Sequence, residues 1–340
     1  MSYEFLQILW FILIAVLWIG FHFLEGFDFG VGMLLPFIGK KDEERRAIIN
    51  SIGSVWDGNE VWLLTAGGAT FAAFPHWYAT MFSGFYLALF LLLVGLIIRG
   101  VAFEYRSKDA SPKWRNTFDW MIAIGSLLAS VLLGAAFANL ARGVPIDENM
   151  MFTGNLFTLL NPYGLLGGVT TTAIFLLHGA NFLGLKLEGE LRERVNTAAK
   201  KIWVVTTVLY VVLGIFTYVA GFWARGVVNP GFVPVAAVAV LLATGYFLNN
   251  KMEGWAFIMT SLNIVLTQVT FFSMTFPNVM ISSTNPAYSL TITNASSSQY
   301  TLTVMSIVAL IFVPIVLVYQ GWTYYMFRER IKNDKKSLVY

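Results

Sequence analysis

Nine long apolar stretches, most of them about 20 residues in length, constrain this chain more than any other feature of its sequence. An α-helix of that length spans the hydrocarbon core of a bilayer, whereas strands of a membrane β-barrel are about ten residues long and alternate apolar with polar positions. Charged residues make up only 12% of the chain, about half the share that is usual in soluble domains. The sequence therefore predicts an all-α integral membrane protein.

The predicted transmembrane helices form a single domain over residues 1–340, without a separate soluble domain or a linker. The first helix is longer than a bilayer requires and must tilt or project from it. The longest loop on the outer side, Phe276–Tyr300, is rich in Ser, Thr and Asn and is predicted to be solvated. The nine predicted spans lie near residues 5–37, 52–74, 78–103, 117–140, 161–184, 202–222, 232–248, 254–275 and 301–326.

Basic residues are distributed very unequally between alternate loops. One set of loops carries nearly all of the Lys and Arg, whereas the other set carries only Arg142 and Arg225. Because loops rich in Lys and Arg remain in the cytoplasm, the pattern predicts an outside N-terminus and a cytoplasmic C-terminus. The alternation also supports the number of spans. The predicted cytoplasmic residues are Lys40, Lys41, Arg45, Arg46, Arg106, Lys108, Lys113, Arg115, Lys186, Arg192, Arg194, Lys200, Lys201, Lys251, Arg328, Arg330, Lys332, Lys335 and Lys336.

The chain contains no cysteine and only three histidines, His22, His76 and His178. This composition excludes disulfides, thiol catalysis and thiolate metal sites, and we expect no metal site. His22 and His178 each lie about 17 residues from the outer end of their span. A haem ligated by both is therefore one interpretation, although such histidines more commonly serve as hydrogen-bonded packing residues.

Charged side chains inside the predicted spans need an explanation, because each costs roughly 2.5–3.5 kcal/mol on the insertion scale. Span 1 carries His22, Glu25 and Asp28, spaced three residues apart. This spacing places them in a polar stripe that turns gradually around the helix. Gly26 and Gly30 lie between these residues and allow another helix to pack closely.

The other intramembrane charges also lie in the cytoplasmic halves of their spans or at their cytoplasmic edges. This one-sided distribution predicts a route for protons from the cytoplasm toward the middle of the membrane. The structural alternative is that these residues pair with one another, as Arg99 could with Glu104, or cap helix ends. The predicted route consists of Asp57, Asp28, Glu104, Glu25 and Glu60, with His22, Arg99, Asp119 and Lys108 in support.

Runs of unusual residues follow one another along the chain, most densely over residues 20–170. They include Gly26-Phe27-Asp28-Phe29-Gly30, Trp56-Asp57-Gly58-Asn59, Thr65-Ala66-Gly67-Gly68-Ala69, Glu104-Tyr105-Arg106-Ser107-Lys108 and Asn161-Pro162-Tyr163-Gly164. In these runs the chain resembles subunit II of the cytochrome bd-type quinol oxidases. Residues 185–250 contribute little to the resemblance.

The resemblance implies a respiratory complex in a prokaryotic cytoplasmic membrane that oxidises quinol and reduces oxygen to water. Haem b and haem d would belong to a haem-bearing subunit I, in a heterodimer or in a slightly larger complex with a small single-helix subunit. This chain would contact lipid and quinone but no nucleic acid, and would carry no catalytic residue. The acids that match the family are Asp28, Asp57 and Glu104, although the family can have Asp at the last of these positions.

Two other classes of function compete with this interpretation. One is a stand-alone proton-coupled secondary transporter, and the other is a scaffold that only stabilises a haem subunit. Transporters often consist of inverted repeats, but the sequence shows no convincing internal repeat, and nine spans do not divide into equal halves.

Overall fold

The computed structural model describes residues 1–331 and consists almost entirely of α-helices. Within that range, seven helices are long and apolar enough to cross a membrane, namely α1, α5, α6, α8, α9, α11 and α12. The helices are α1 (Tyr3–Ile38), α2 (Asp42–Ile52), α3 (Trp56–Ala73), α4 (Pro75–Gly84), α5 (Tyr86–Tyr105), α6 (Pro112–Arg142), α7 (Leu156–Leu159), α8 (Pro162–Lys186), α9 (Gly189–Val219), α10 (Val233–Asn249), α11 (Glu253–Thr275) and α12 (Gln299–Met326).

Helix α1 lies at the centre of the bundle and packs against α3, α6, α8 and α11. It approaches α8 most closely where two glycines meet, because a Cβ on Gly30 would collide with the carbonyl oxygen of Phe175 and lie 2.8 Å from the Cα of Gly179. The close packing predicted from Gly26 and Gly30 is therefore present, and α8 is the partner.

The second and third predicted spans have different boundaries in the structure. Ile52 belongs to α2, a short helix that was not predicted from the sequence, and the next helix begins only at Trp56. The predicted third span is interrupted at Phe85, which separates α4 from α5. The apolar side of α2, including Ile48 and Ile49, is buried against protein, so the hydropathy of this segment reflects packing within the protein.

The long outer loop is folded in part: it contains two short strands, whereas Ser283, Thr284 and Asn285 are exposed, as expected for a solvated segment. Strand β1 (Asn278–Met280) pairs antiparallel with β2 (Leu290–Thr291). Met280 and Leu290 are buried, and the Ser282 hydroxyl donates a hydrogen bond to the carbonyl of Ile146 at 2.9 Å. The polar side chains bond within the loop and to its neighbours, and the apolar residues between them cover the outer end of the bundle.

The basic segments meet at one end of the bundle, in agreement with the alternation of charge along the sequence. Their mutual contacts are Arg45–Asp119 at 2.9 Å, Arg106–Asp42 at 2.9 Å, Arg194–Glu44, Lys251–Glu193 at 3.7 Å, and Arg330 Nη1 to the carbonyl of Leu187 at 2.5 Å. Lys332, Lys335 and Lys336 lie outside the described residues.

Glu44 stabilises the position of α2 at this basic end. Burial of its side chain opposes ionisation, but hydrogen bonds from Arg194 and from the backbone amides of Lys41 and Lys40 outweigh that effect and hold the pKa of Glu44 below its ordinary value. The carboxylate therefore remains ionised at neutral pH and joins α2 to α9.

Candidate functional site

Three charged side chains from three helices meet inside the bundle. Arg99 on α5 lies between Glu25 on α1 and Glu60 on α3, with its Nη1 atom 2.5 Å from Glu25 Oε1 and 2.6 Å from Glu60 Oε1. The side chains of Arg99 and Glu25 are fully buried, whereas that of Glu60 is 20% exposed. Because buried charges are tolerated when they are paired, this triad explains how three charges persist within apolar segments.

The guanidinium group of Arg99 is also enclosed by aromatic rings. Its Cζ atom lies 5.0 Å from the ring centre of Phe29 and 5.1 Å from that of Phe103. Both distances are within the range of a cation–π interaction. The two rings and the two carboxylates therefore share the surroundings of one buried guanidinium.

Asp28 lies one helical turn after Glu25 on α1 and is completely buried. Its Oδ2 atom accepts a hydrogen bond from Asn59 Nδ2 at 2.6 Å. The Asn59 Oδ1 atom in turn accepts hydrogen bonds from the Tyr324 hydroxyl at 2.8 Å and from Gln320 Nε2 at 3.2 Å. The acid cluster, defined as Glu25, Asp28, Glu60 and Arg99, is therefore linked to α12 through Asn59.

Four buried polar atoms of the acid cluster have no hydrogen-bond partner in the described part of the chain. They are Glu25 Oε2, Asp28 Oδ1, Arg99 Nε and Arg99 Nη2. Buried polar atoms that lack a protein partner commonly bind ordered water. The acid cluster thus offers both donors and acceptors to water at a single place, which is the local requirement for moving a proton.

The structure does not place all predicted acids in this cluster. Asp57 is exposed in the first turn of α3, three residues before Glu60, where the helix N-terminus favours a carboxylate. Glu104, in the last turn of α5, and Lys108, just after that helix, are exposed at the basic end. The suggested pair of Arg99 with Glu104 is wrong, because five residues separate them and they project from different sides of α5.

Asp119, predicted as a supporting residue, belongs to a second group of charges. Its Oδ1 atom is 2.5 Å from Arg106 Nε, and its Oδ2 atom is 2.9 Å from Arg45 Nη1. Arg106 also binds Asp42 at 2.9 Å. These contacts join α2 to α6 and to the end of α5, so Asp119 anchors the basic end and has no contact with the acid cluster.

The two buried histidines have different surroundings. His178 uses both ring nitrogens, since Nε2 donates to the carbonyl of Phe23 at 3.2 Å and Nδ1 shares a hydrogen bond with the Thr260 hydroxyl at 2.8 Å. His22 Nδ1 donates to the carbonyl of Trp18 at 2.8 Å. Because His178 has no free nitrogen, the structure does not fit a haem ligated by both histidines.

His22 also borders a cavity of about 500 Å³ between α1, α6, α8, α9, α10 and α11. The cavity is lined mainly by apolar surface, including Phe137 and Phe271, and Gln268 together with several Thr and Tyr side chains supplies its polar atoms. His22 therefore borders this apolar space, and its side-chain hydrogen bond goes to Trp18 and not to Glu25 or Asp28.

Two residues of the site were missed in the sequence. Gln320 and Tyr324 lie near the inner end of α12, which is otherwise almost entirely apolar, and only one residue of this helix, Leu302, is buried. The glutamine within such a helix indicates a hydrogen-bond partner in the protein, because an amide without one is costly in a bilayer. Nothing in the sequence, however, indicated which residue it would bind.

Residues 6–327 match the sequence profile of a family described as cytochrome bd terminal oxidase subunit II. The chain belongs to this family. It is 45% identical over 336 residues to cytochrome bd ubiquinol oxidase subunit 2 of Bacillus subtilis, covering 98% of each chain. It is 42% identical over 367 residues to cytochrome bd-I ubiquinol oxidase subunit 2 of Escherichia coli, covering 98% of this chain and 97% of the relative.

The fold also has a counterpart among solved structures. A chain in the structure of bd oxidase from Geobacillus thermodenitrificans aligns with a TM-score of 0.77 and 15% identity, covering 95% of this chain and 98% of its own length. At that identity the similarity shows a common fold. As a cytochrome bd subunit II, the chain is a multi-pass membrane protein and part of a quinol:oxygen oxidoreductase, which argues against a stand-alone transporter.

Proposed function

We propose that this subunit II supports a haem-bearing subunit I and supplies part of its proton-uptake route from the cytoplasm. The acid cluster carries the proposal, because it places three carboxyl groups and a guanidinium together inside a bundle of apolar helices. Haem b, haem d and the quinol site would belong to subunit I, where quinol is oxidised and oxygen is reduced to water.

The proposal includes an orientation in the cytoplasmic membrane of a prokaryotic cell. The basic end would face the cytoplasm, following the preference of Lys and Arg for that side. Nine spans follow if α3 and α10 cross the membrane together with the seven longer apolar helices. These two helices have 18 and 17 residues, which is within the range that a bilayer needs.

The exposure of the acids gives the route a direction. Asp57 is exposed near the basic end, Glu60 one turn further along α3 is 20% exposed, and Glu25 and Asp28 are completely buried. A proton entering at Asp57 would therefore reach Glu60 and then the buried pair, passing between carboxyl groups through bound water. Glu104 and Lys108 lie outside the acid cluster at the same end, where they would contribute charge at the entrance.

One observation favours the scaffold function as a second candidate. The triad of Glu25, Arg99 and Glu60 joins α1, α3 and α5, so it can serve to hold three helices together without moving protons. Asp28 distinguishes the two functions, because within residues 1–331 it forms no ion pair and its Oδ1 atom has no hydrogen-bond partner. A scaffold does not need an acid at that position, whereas a proton route does.

The two functions can be separated with Asp28→Asn in the assembled oxidase. The spectrum of the haems reports assembly, and oxygen consumption with a soluble quinol reports turnover as a function of pH. We expect normal haem content and a loss of turnover of about tenfold or more, since a positioned proton-transfer group typically contributes at least that factor. Glu148→Gln, at an exposed position at the outer end, is the matched control. Unchanged turnover in Asp28→Asn with normal haem content would leave only the scaffold function.

A further inference from the structure

Helix α12 contacts the rest of the chain at its inner end mainly through polar side chains. Trp62 Nε1 on α3 donates to Gln320 Oε1 at 2.9 Å, and Gln320 Nε2 donates to Asn59 Oδ1 at 3.2 Å. Asn59 Nδ2 then donates to Asp28 Oδ2 at 2.6 Å. The three hydrogen bonds form one continuous chain from an indole to a buried carboxyl group.

The indole of Trp62 fixes the direction in which these three hydrogen bonds are donated. An indole N–H can only donate, so Gln320 must present its carbonyl oxygen to Trp62 and its NH₂ group to Asn59. Asn59 must then present its oxygen to α12 and its NH₂ group to Asp28. Tyr324 reinforces this orientation by donating to the same Asn59 oxygen at 2.8 Å. Neither amide can be flipped without placing two donors or two acceptors against each other.

The N–H group that Asn59 directs at Asp28 Oδ2 affects which oxygen of the carboxyl group carries the proton. When the carboxyl group is protonated, Oδ1 is the favoured site of the proton, because Oδ2 already accepts a hydrogen bond from an N–H group and accepts it more strongly as a carbonyl oxygen. Neither amide nor the indole exchanges protons readily at neutral pH, so the chain of hydrogen bonds cannot itself conduct a proton. Protons are therefore not transferred between Asp28 and α12 through Asn59.

We propose that Trp62, Gln320 and Tyr324 are positioning residues that act through Asn59 to confine the proton of Asp28 to Oδ1. This inference rests on the proposed function, in which Asp28 exchanges protons. The charged and titratable groups around Asp28 are Glu25 on α1, Glu60 on α3, Arg99 on α5 and Tyr324 on α12. Of these, Tyr324 is linked to Oδ2 through Asn59, which lies between its hydroxyl group and the carboxyl group. Transfer is thereby directed from Oδ1 toward the rest of the acid cluster.

The test compares Gln320→Leu and Tyr324→Phe with Tyr319→Phe in the assembled oxidase. Tyr319 lies on the same helix, but its side chain is 66% exposed, so it provides a matched control for the loss of a hydroxyl group. The infrared difference spectrum between high and low pH reports the carboxyl band of Asp28, which is assigned by its disappearance in Asp28→Asn. Oxygen consumption as a function of pH is measured on the same samples.

We expect the Asp28 band to shift and broaden in Gln320→Leu and Tyr324→Phe, because Asn59 is then free to turn. Turnover should fall by about fivefold in Gln320→Leu, the factor supplied by one net hydrogen bond of ordinary strength. The pH of half-maximal turnover should move in both variants and stay unchanged in Tyr319→Phe. A purely structural role of α12 would lower turnover equally at every pH and leave the band in place.

The two proposals fail in different ways. If Asp28→Asn abolishes turnover while Gln320→Leu and Tyr324→Phe leave the band and the pH profile unchanged, the positioning role is overturned and the proton route stands. If Asp28→Asn retains full turnover, the proton route fails and the positioning role, which rests on it, fails with it.

Discussion

Arg99 is the residue that makes the acid cluster compatible with a membrane. It is fully buried and faces Glu25 and Glu60 with one nitrogen while two phenylalanine rings cover its guanidinium. Removing one member of a buried ion pair leaves an uncompensated charge, whereas replacing both by apolar residues is often tolerated. At this scale, stability depends on the pairing of Arg99 with Glu25, and the proposed proton transfer depends on Asp28.

Arg99→Leu should therefore destabilise the assembled oxidase by about 3–5 kcal/mol, because Glu25 remains buried without its cation. The double variant Arg99→Leu with Glu25→Leu should recover most of that loss, whereas Glu60 is partly exposed and can be hydrated in either variant. The melting temperature of the purified complex, followed through its haem absorption, measures both. Equal losses in the single and double variants would mean that the pairing is not the source of the stability.

At the scale of elements, the bundle depends on how closely α1 and α8 approach. Gly30 on α1 and Gly179 on α8 place two backbones in contact, with no room for a Cβ at either position. Small residues allow this kind of packing in membranes, where the hydrophobic effect does not drive helices together. The same crossing fixes the rotation of α1, and with it the direction in which Glu25 and Asp28 project.

Gly30→Ala should lower the stability of the oxidase and its turnover together, because the added Cβ forces α1 away from Phe175 and Gly179. Gly214→Ala on α9 is the matched control, since nothing lies within 4 Å of a Cβ at that position. The control should be neutral or more stable, as Ala is favoured over Gly in helices by roughly 1 kcal/mol. Haem content and melting temperature report the outcome, and a tolerated Gly30→Ala would contradict the close contact between α1 and α8.

At the scale of the whole molecule, charge separates the two ends of the bundle. The basic end is joined by ion pairs between segments that are distant in sequence, such as Arg45 with Asp119 and Arg194 with Glu44. The opposite end is covered by the folded segment around β1 and β2. The proposed orientation therefore places an ion-paired surface in the cytoplasm and a neutral, well-packed cover outside.

Cysteine labelling tests this orientation directly, because the chain has no cysteine of its own. Glu148 and Glu190 are both exposed and lie at opposite ends of the bundle. In intact cells, a membrane-impermeant maleimide should label Glu148→Cys but not Glu190→Cys, and both should be labelled once the membrane is permeabilised. Labelling in the reverse pattern would invert the proposed orientation and with it the source of the protons.

Family membership, helical class and the clustering of basic residues at one end were all predicted from the sequence. The predictions were wrong where the local sequence was compatible with more than one environment or partner. The apolar face of α2 suggested the start of a span, although it packs against protein. Arg99 was given Glu104 as a partner from proximity along the helix alone.

The sequence by itself determined that this chain is a bundle of membrane helices and which of its loops lie on the same side. Both are local properties: the length of an apolar stretch is compared with the thickness of a bilayer, and the charge of each loop indicates its side. Only the tertiary structure decided that Arg99 binds Glu25 and Glu60, and that Gln320 and Tyr324 reach Asp28 through Asn59. The physical reason is that partners inside the bundle depend on the rotation and crossing of each helix. Contacts such as that between Gly30 and Gly179 fix these quantities, and they join residues far apart in the chain.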